Sequence, residues 1–242
     1  MFGSSLKSIS IFLLLQTAQC CAPNDARQAG NDTNSTPEHP YVVRGDDSPA
    51  DLQTTGYYVN HFSLNVNNLT RSIDFYTRVF GMRFMFTYHL TPHLSFTYVT
   101  HSQGGRNGTG YQTNGELIRE KNNNGGAIEF VHFTPPNKKD IEGPKVRATT
   151  LSHVGMVVPD PKATQERLKQ QGVPIYKGVG EDMPTEGPFA SPFYLGDATN
   201  LSPDDFAAIQ AGMTKLNFQN IFAEDPDGNL LEIIPREESI SF

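Results

Sequence analysis

Two histidines and two glutamates occupy matching positions in two similar halves of the chain. The first half carries His61 and Glu129, and the second half carries His153 and Glu232. Each of the four lies in a short run of apolar residues, which is typical of a β-strand. If the two halves pack together, the four side chains can converge on one divalent metal ion.

Side-chain alternation places these residues on a separate face from the apolar rows. In the first half, Leu64 alternates with His61, and in the second half Leu231 and Ile233 alternate with Glu232. Residues two apart share a face of a strand. We therefore predict that the apolar rows pack under helices, while the histidines and glutamates face a cavity.

The residue types suit metal chemistry. Two buried carboxylates repel each other, and a divalent cation offsets that cost. Imidazole and carboxylate together suit Zn, Ni, Fe, Co or Mn, and four protein ligands leave octahedral positions open for substrate oxygens. Any one of these side chains alone is more simply explained as a surface residue. The repetition of both types at matching positions favours a ligand set.

The remaining pattern supplies the elements that hold these residues. In the first half we predict strands at 57–66, 83–90, 93–100 and 127–133, a helix at 70–80 and a loop at 102–115. In the second half we predict strands at 151–158, 216–223 and 229–234, a helix at 161–171 and a short helix at 203–211. Gly81 and Gly172 end the two long helices.

These elements predict an α+β fold of two tandem βαβββ modules that pair into a curved mixed sheet. The predicted organisation is a signal peptide at 1–21, a flexible polar arm at 22–55, a first module at 56–134, a linker at 135–150, and a second module at 151–236 with an insertion at 178–215. The arm has few large apolar residues and cannot offset its ordering entropy.

Three segments resemble the glyoxalase I (lactoylglutathione lyase) family of the vicinal oxygen chelate superfamily. Residues 71–82 resemble its first-module helix, and residues 153–160 and 225–228, with Glu232, resemble its second module. The resemblance covers about residues 57–236 apart from the insertion. It implies the vicinal oxygen chelate fold, with His61, Glu129, His153 and Glu232 as metal ligands.

The resemblance also implies an activity. The chain would be a secreted, metal-dependent lyase or isomerase that converts a hemithioacetal or a related α-hydroxycarbonyl compound through a metal-bound enediolate. Glu232 would be the general base, and Glu129 would assist it or act on the other face of the substrate.

Three positions depart from the pattern with which eukaryotic glyoxalase I binds glutathione. Asn65 stands where that family has an arginine four residues after the first ligand, and Phe133 stands where it has an asparagine. The arginine that precedes the second histidine is displaced, with Arg147 the nearest. A glutathione adduct is therefore a less favoured partner than another small-molecule substrate.

Two alternatives remain. One is a dioxygenase or epimerase of the same superfamily, although dioxygenases use two histidines and a single carboxylate around iron. The other is a metal-free protein that binds a small metabolite. Failure to retain any metal would favour the second alternative.

The N-terminus predicts secretion. Lys7, the apolar run 9–15 and the small residues near 17–20 form a signal-like pattern, and the run is too short to span a bilayer. Five N-glycosylation sequons support this prediction: Asn31, Asn34, Asn68, Asn107 and Asn200. We therefore expect a secreted, extracellular glycoprotein that is not held in a membrane.

Net charge and cysteine content limit which kinds of partner and site the protein can have. A net charge of −7 offers no basic surface for nucleic acid. The two cysteines, Cys20 and Cys21, lie beside the predicted cleavage point, so we expect the mature chain to have no thiolate metal site and no disulfide framework. The sequence does not decide between a monomer and a homodimer.

Overall fold

The structure is a computed structural model that describes residue 39 and residues 41–104, 110–195 and 201–237. The predicted signal peptide, both cysteines and the sequons at Asn31, Asn34, Asn107 and Asn200 lie outside these residues. Residues 42–51 of the predicted arm are exposed, and one turn of 3-10 helix follows at Leu52–Thr54. Every helix in the described part of the chain is too short or too polar to cross a membrane.

The first module is a four-stranded mixed sheet with two helices. Its elements are β1 (His61–Asn65), α1 (Leu69–Arg78), β2 (Arg83–Thr91), β3 (Leu94–Thr100), α2 (Asn114–Arg119) and β4 (Ala127–Phe133). The strand order is β1-β4-β3-β2, with β1 parallel to β4 and the other pairs antiparallel.

The second module repeats this topology. Its elements are β5 (His153–Val158), α3 (Pro161–Gln170), β6 (Ile175–Lys177), α4 (Pro203–Leu216), β7 (Ile221–Glu224) and β8 (Leu230–Pro235). The strand order is β5-β8-β7-β6, with β5 parallel to β8. The α+β fold of two βαβββ modules is confirmed, and the described strands hydrogen-bond within each module.

Local sequence accounts for the two long helices of the modules. Asn68 caps α1 by accepting a 3.0 Å hydrogen bond from the backbone N–H of Arg71. Asp160 caps α3 in the same way through Ala163, and Pro161 opens that helix. Beyond each helix the chain turns in the left-handed region at Gly81 (φ 70°) and Gly172 (φ 69°), where glycine has no Cβ penalty.

Several predicted boundaries differ from the structure: the strand predicted at 57–66 spans only His61–Asn65, and β6 was not predicted. The loop predicted at 102–115 runs into α2, which a capping box between Thr113 and Glu116 starts. Helix α4 extends to Leu216, so the strand predicted at 216–223 begins only at Ile221. Apolar residues near the end of α4 suggested a strand, but Leu216 is 56% exposed at the last turn of the helix.

One hydrophobic core joins both modules. It takes apolar residues from the strands and helices of each half, among them Leu64, Phe75, Phe130, Val154, Leu168, Leu231 and Ile233. The rows predicted to alternate with the histidines and glutamates are therefore the buried rows. The opposite face of each sheet points away from this shared core.

Polar contacts reinforce the packing between modules. Asp227 of the second module accepts hydrogen bonds from the Ser72 hydroxyl at 2.8 Å and from the Asn67 backbone N–H at 2.9 Å. Arg167 on α3 donates to the carbonyl of Val79 at the end of α1, at 2.8 Å. The two halves therefore fold as one unit.

Candidate functional site

His61 and Glu129 lie together on the open face of the first sheet. His61 begins β1, and Glu129 lies in the parallel neighbour β4, directly opposite Ser63. The Nε2 atom of His61 is 3.9 Å from Oε2 of Glu129, and that oxygen accepts a 2.8 Å hydrogen bond from the Ser63 hydroxyl. The side chains of His61 and Glu129 are 33% and 17% exposed, so the pair remains accessible.

Tyr98 completes this cluster, and the sequence did not identify it. It lies opposite Glu129 across the β3–β4 pair, with its hydroxyl 3.4 Å from Nε2 of His61. Phe86 stacks on its ring at 5.2 Å, and the ammonium of Lys121 lies 4.2 Å from the ring centroid. Burial and hydrogen bonding with Glu129 raise the pKa of Tyr98 to about 12, so the phenol stays neutral.

His153 and Glu232 form the corresponding pair in the second module. His153 begins β5 and Glu232 lies in β8, opposite Gly155. The Nε2 atom of His153 is 3.0 Å from Oε2 of Glu232. The amide of Asn220 donates a 3.1 Å hydrogen bond to the other carboxylate oxygen, which holds Glu232 from the second side.

A buried lysine supports Asn220. Lys177 is fully buried, and its ammonium donates to the carbonyls of Asn217 (2.5 Å), Phe218 (3.1 Å) and Asn220 (2.8 Å). Burial lowers the pKa of Lys177 to about 8, although nearby acidic side chains oppose the shift. The lysine closes the turn after α4 and so fixes the backbone that carries Asn220.

The insertion contributes an aromatic wall beside His153. Phe193 stacks on the His153 ring with centroids 5.5 Å apart and planes 28° apart. Phe189 and Phe222 pack against Phe193 at 4.9 and 5.7 Å. Any molecule that reaches His153 meets this wall on one side.

Within one chain the structure brings the four predicted ligands together as two pairs. Across the described residues, no group of three or more histidine, cysteine, aspartate or glutamate side chains is arranged to hold a metal ion. The ligand types in each pair, an imidazole and a carboxylate, suit a divalent transition metal ion. The four-ligand set remains a prediction that requires the two pairs to meet.

A separate cavity lies between the linker and the insertion. It has a volume of about 820 Å³, and its walls include Lys145, Val146, Ser191, Tyr194 and Phe206. None of the four predicted ligands lines it.

The sequence matches one protein-family model. The model of the Glyoxalase/Bleomycin resistance protein/Dioxygenase superfamily matches residues 58–233, which cover most of both modules and include both His–Glu pairs. No curated protein sequence is significantly similar to the chain.

Several solved structures resemble the chain at low identity. The trypanothione-dependent glyoxalase I of Leishmania major is 16% identical over 74% of this chain and 86% of its own, with a TM-score of 0.42. Glyoxalase I from Zea mays is 20% identical over 74% of this chain and 45% of its own, with a TM-score of 0.43. The antibiotic-binding protein TnmS3 from Streptomyces sp. CB03234 is 14% identical over 75% and 97%, with a TM-score of 0.40.

Proposed function

Because the chain belongs to the Glyoxalase/Bleomycin resistance protein/Dioxygenase superfamily, we propose that it is a metal-dependent lyase or isomerase of the glyoxalase I type. Its substrate would be a hemithioacetal or a related α-hydroxycarbonyl compound. The observation that supports this best is the matched placement of the His61–Glu129 and His153–Glu232 pairs. Each pair lies at equivalent register on the open face of its sheet.

The complete site would form in a homodimer. Each module offers two metal donors, and within one chain the two pairs stay apart. Strands β1 and β5 are at the edges of their sheets, so their outer main-chain groups are available to a second copy. Phe62 on β1 and Val157 on β5 are 53% and 63% exposed, which gives these edges apolar surface to bury. His61 and Glu129 of one chain would then meet His153 and Glu232 of the partner.

The reaction assigns different tasks to the two glutamates. A divalent ion bound by the four side chains would stabilise negative charge on the two adjacent oxygens of the substrate. Glu232 would take the proton from one substrate carbon and return it to the neighbouring carbon, which is an internal isomerisation without other reactants. Glu129, held by Ser63 and Tyr98, would remain a fixed ligand.

Complementation between two inactive variants tests this proposal. His61→Ala damages the first-module pair, and His153→Ala damages the second-module pair. If sites form between chains, a mixed dimer contains one site with both changes and one intact site. We expect each variant alone to be inactive, and co-refolded mixtures to recover part of the wild-type turnover. The assay would use hemithioacetals of a 2-oxoaldehyde with glutathione and with smaller thiols, and light scattering would report the oligomeric state.

The outcomes separate the parts of the proposal. Active wild type with no recovery in mixed dimers would place a complete site within each chain. Wild type that binds metal but isomerises none of these substrates would contradict the glyoxalase I-type activity.

A metal-free binding protein is the second candidate. The separation of the two pairs within one chain and the cavity of about 820 Å³ favour it. In that case, chelator-treated protein would bind a small apolar ligand as tightly as untreated protein. Calorimetry with and without chelator distinguishes the two functions.

We also propose that the protein is secreted. The signal-like pattern near residues 7–20 and the five sequons support this. Expression in a eukaryotic secretory cell should deliver the protein to the medium with an N-terminus near residue 22. Retention of the intact N-terminus inside the cell would contradict it.

A further inference from the structure

Asn60, the residue before the first predicted ligand, is held in one orientation. Its side-chain amide nitrogen donates to the carbonyl of Lys121 at 2.9 Å and to the carbonyl of Asn124 at 2.7 Å. Carbonyl oxygens only accept hydrogen bonds, so the NH₂ group must face them. The oxygen Oδ1 of Asn60 therefore faces the other way, towards His61.

This orientation determines the tautomer of neutral His61. The Oδ1 atom of Asn60 is 2.9 Å from Nδ1 of His61, and an amide oxygen can only accept. The imidazole must then carry its proton on Nδ1, which leaves a bare lone pair on Nε2. The Tyr98 hydroxyl lies 3.4 Å from this Nε2 atom.

The His–Glu distance in the first pair agrees with this assignment. In the first pair, Nε2 and the carboxylate oxygen are 3.9 Å apart, as expected for two acceptors with no proton between them. In the second pair they are 3.0 Å apart. The Nδ1 atom of His153 lies 3.0 Å from the Ser152 hydroxyl, which can donate or accept.

Ser152 occupies the position in the second module that Asn60 occupies in the first. A hydroxyl can donate or accept by rotating, whereas the Asn60 amide is fixed by two carbonyls. The second histidine can therefore change tautomer at little cost, while the first cannot. The two modules therefore differ in the residue that contacts the histidine, although their predicted metal ligands are of the same types.

We propose that Asn60 is a positioning residue that locks His61 as the Nδ1–H tautomer and so presents the Nε2 lone pair for metal binding. In metalloproteins, the partner on the other ring nitrogen sets the orientation and basicity of a ligating histidine. The first module would therefore bind the metal ion first, and the second module would follow. The metal-binding half of this inference rests on the proposed function; the tautomer does not.

Nitrogen-15 NMR of the imidazole rings tests the tautomer directly in metal-free protein at a pH where histidine is neutral. His61→Gln and His153→Gln variants identify the two sets of signals. We expect His61 to carry its proton on Nδ1. In Asn60→Ala, His61 should shift to the Nε2–H form, and Asn60→Ser should give a mixture. Ser152→Ala is the matched control and should leave His61 unchanged.

Titration with Co²⁺, followed by its visible absorption, gives a second readout. Asn60→Ala should lower the Co²⁺ affinity about 10- to 100-fold, as loss of an outer hydrogen-bond partner typically does. A purely structural role for Asn60 would not move the His61 tautomer. Wild-type protein with the proton of His61 on Nε2, or an Asn60→Ala variant with an unchanged tautomer, would overturn the inference.

The same data distinguish this inference from the proposed function. Wild type with the expected tautomer that takes up no Co²⁺ would overturn the proposed function and the metal-binding role of Asn60, and would support the tautomer lock. Wild type that binds Co²⁺ as tightly as Asn60→Ala would overturn the role of Asn60 alone.

Discussion

The hydroxyl of Tyr76 on α1 donates a 2.9 Å hydrogen bond to Oδ2 of Asp225, which follows β7 in the other module. Both residues are buried, and the second oxygen of Asp225 accepts the backbone N–H groups of Asp227 (2.9 Å) and Asn229 (2.8 Å). The Asp-Pro-Asp-Gly segment is therefore more than a turn between strands. It orders its own backbone and anchors α1 to the second sheet.

Removing the Tyr76 hydroxyl should weaken the fold. Tyr76→Phe leaves Oδ2 of Asp225 with one donor fewer in a buried setting, so we expect a loss of about 1 to 3 kcal/mol in the free energy of unfolding. Urea denaturation measures this. Tyr88→Phe, at a side chain that is 60% exposed, is the control and should change little. Equal stability of the two variants would contradict a stabilising role for the hydrogen bond between Tyr76 and Asp225.

Asp225 should also give the stability a pH dependence. Burial raises the pKa of Asp225 above its ordinary value of 3.8, although hydrogen bonds from Asn229 and Tyr76 oppose the shift. From pH 3.8 up to the raised pKa, the folded protein holds more protons than the unfolded chain. The contribution of this group is therefore full below 3.8 and is lost as the pH rises through that window.

Asp225→Asn tests that dependence. The difference in unfolding free energy between wild type and Asp225→Asn should shrink as the pH rises above the ordinary carboxyl range. Denaturation curves at a series of pH values measure it. Parallel pH profiles for the two proteins would show that Asp225 does not titrate differently on folding.

Lys177→Met should damage both the fold and the second His–Glu pair. The variant leaves three carbonyls, including the buried carbonyl of Asn220, without their common donor, so we expect a loss of about 2 kcal/mol in unfolding free energy. Because Asn220 is one of those residues, Glu232 should also lose its fixed orientation and turnover should fall. Lys169→Met removes a lysine that is 55% exposed and serves as the control. A fully active, fully stable Lys177→Met protein would refute this link.

Metal content tests the four-ligand prediction. Elemental analysis of the mature protein should find about one equivalent of Zn, Ni, Fe, Co or Mn per chain, and a chelator should remove it together with activity. His153→Ala should retain much less metal than wild type. A metal-free wild type that takes up none when metal is added would favour the binding-protein alternative.

Glu232→Gln should separate folding from catalysis. The amide cannot accept the substrate proton and binds metal more weakly, so turnover should fall about 10²- to 10⁴-fold. Thermal unfolding should stay close to that of wild type, because Glu232 remains accessible at 17% exposure. Unchanged turnover would remove Glu232 from the role of base.

The sequence by itself determined the two-module plan and the faces of the strands. Alternation separated His61 from Leu64 and Glu232 from Ile233, and the core contains the apolar members as predicted. Helices α1 and α3 were also predictable from the sequence, because N-caps and terminal glycines are local signals. These features depend on local backbone preferences and on the periodicity of side chains along a helix or strand, and both are set by residues close together in the sequence.

Only the tertiary structure decided which groups surround each pair. Strand register brings Tyr98 to His61, and the turn that Lys177 closes brings Asn220 to Glu232. No residue spacing in the sequence predicts either contact. That the two pairs form no single cluster within the described part of one chain was likewise decided only by the tertiary structure. Contacts between distant segments depend on how whole elements pack, and packing is a property of the assembled surfaces rather than of any local pattern.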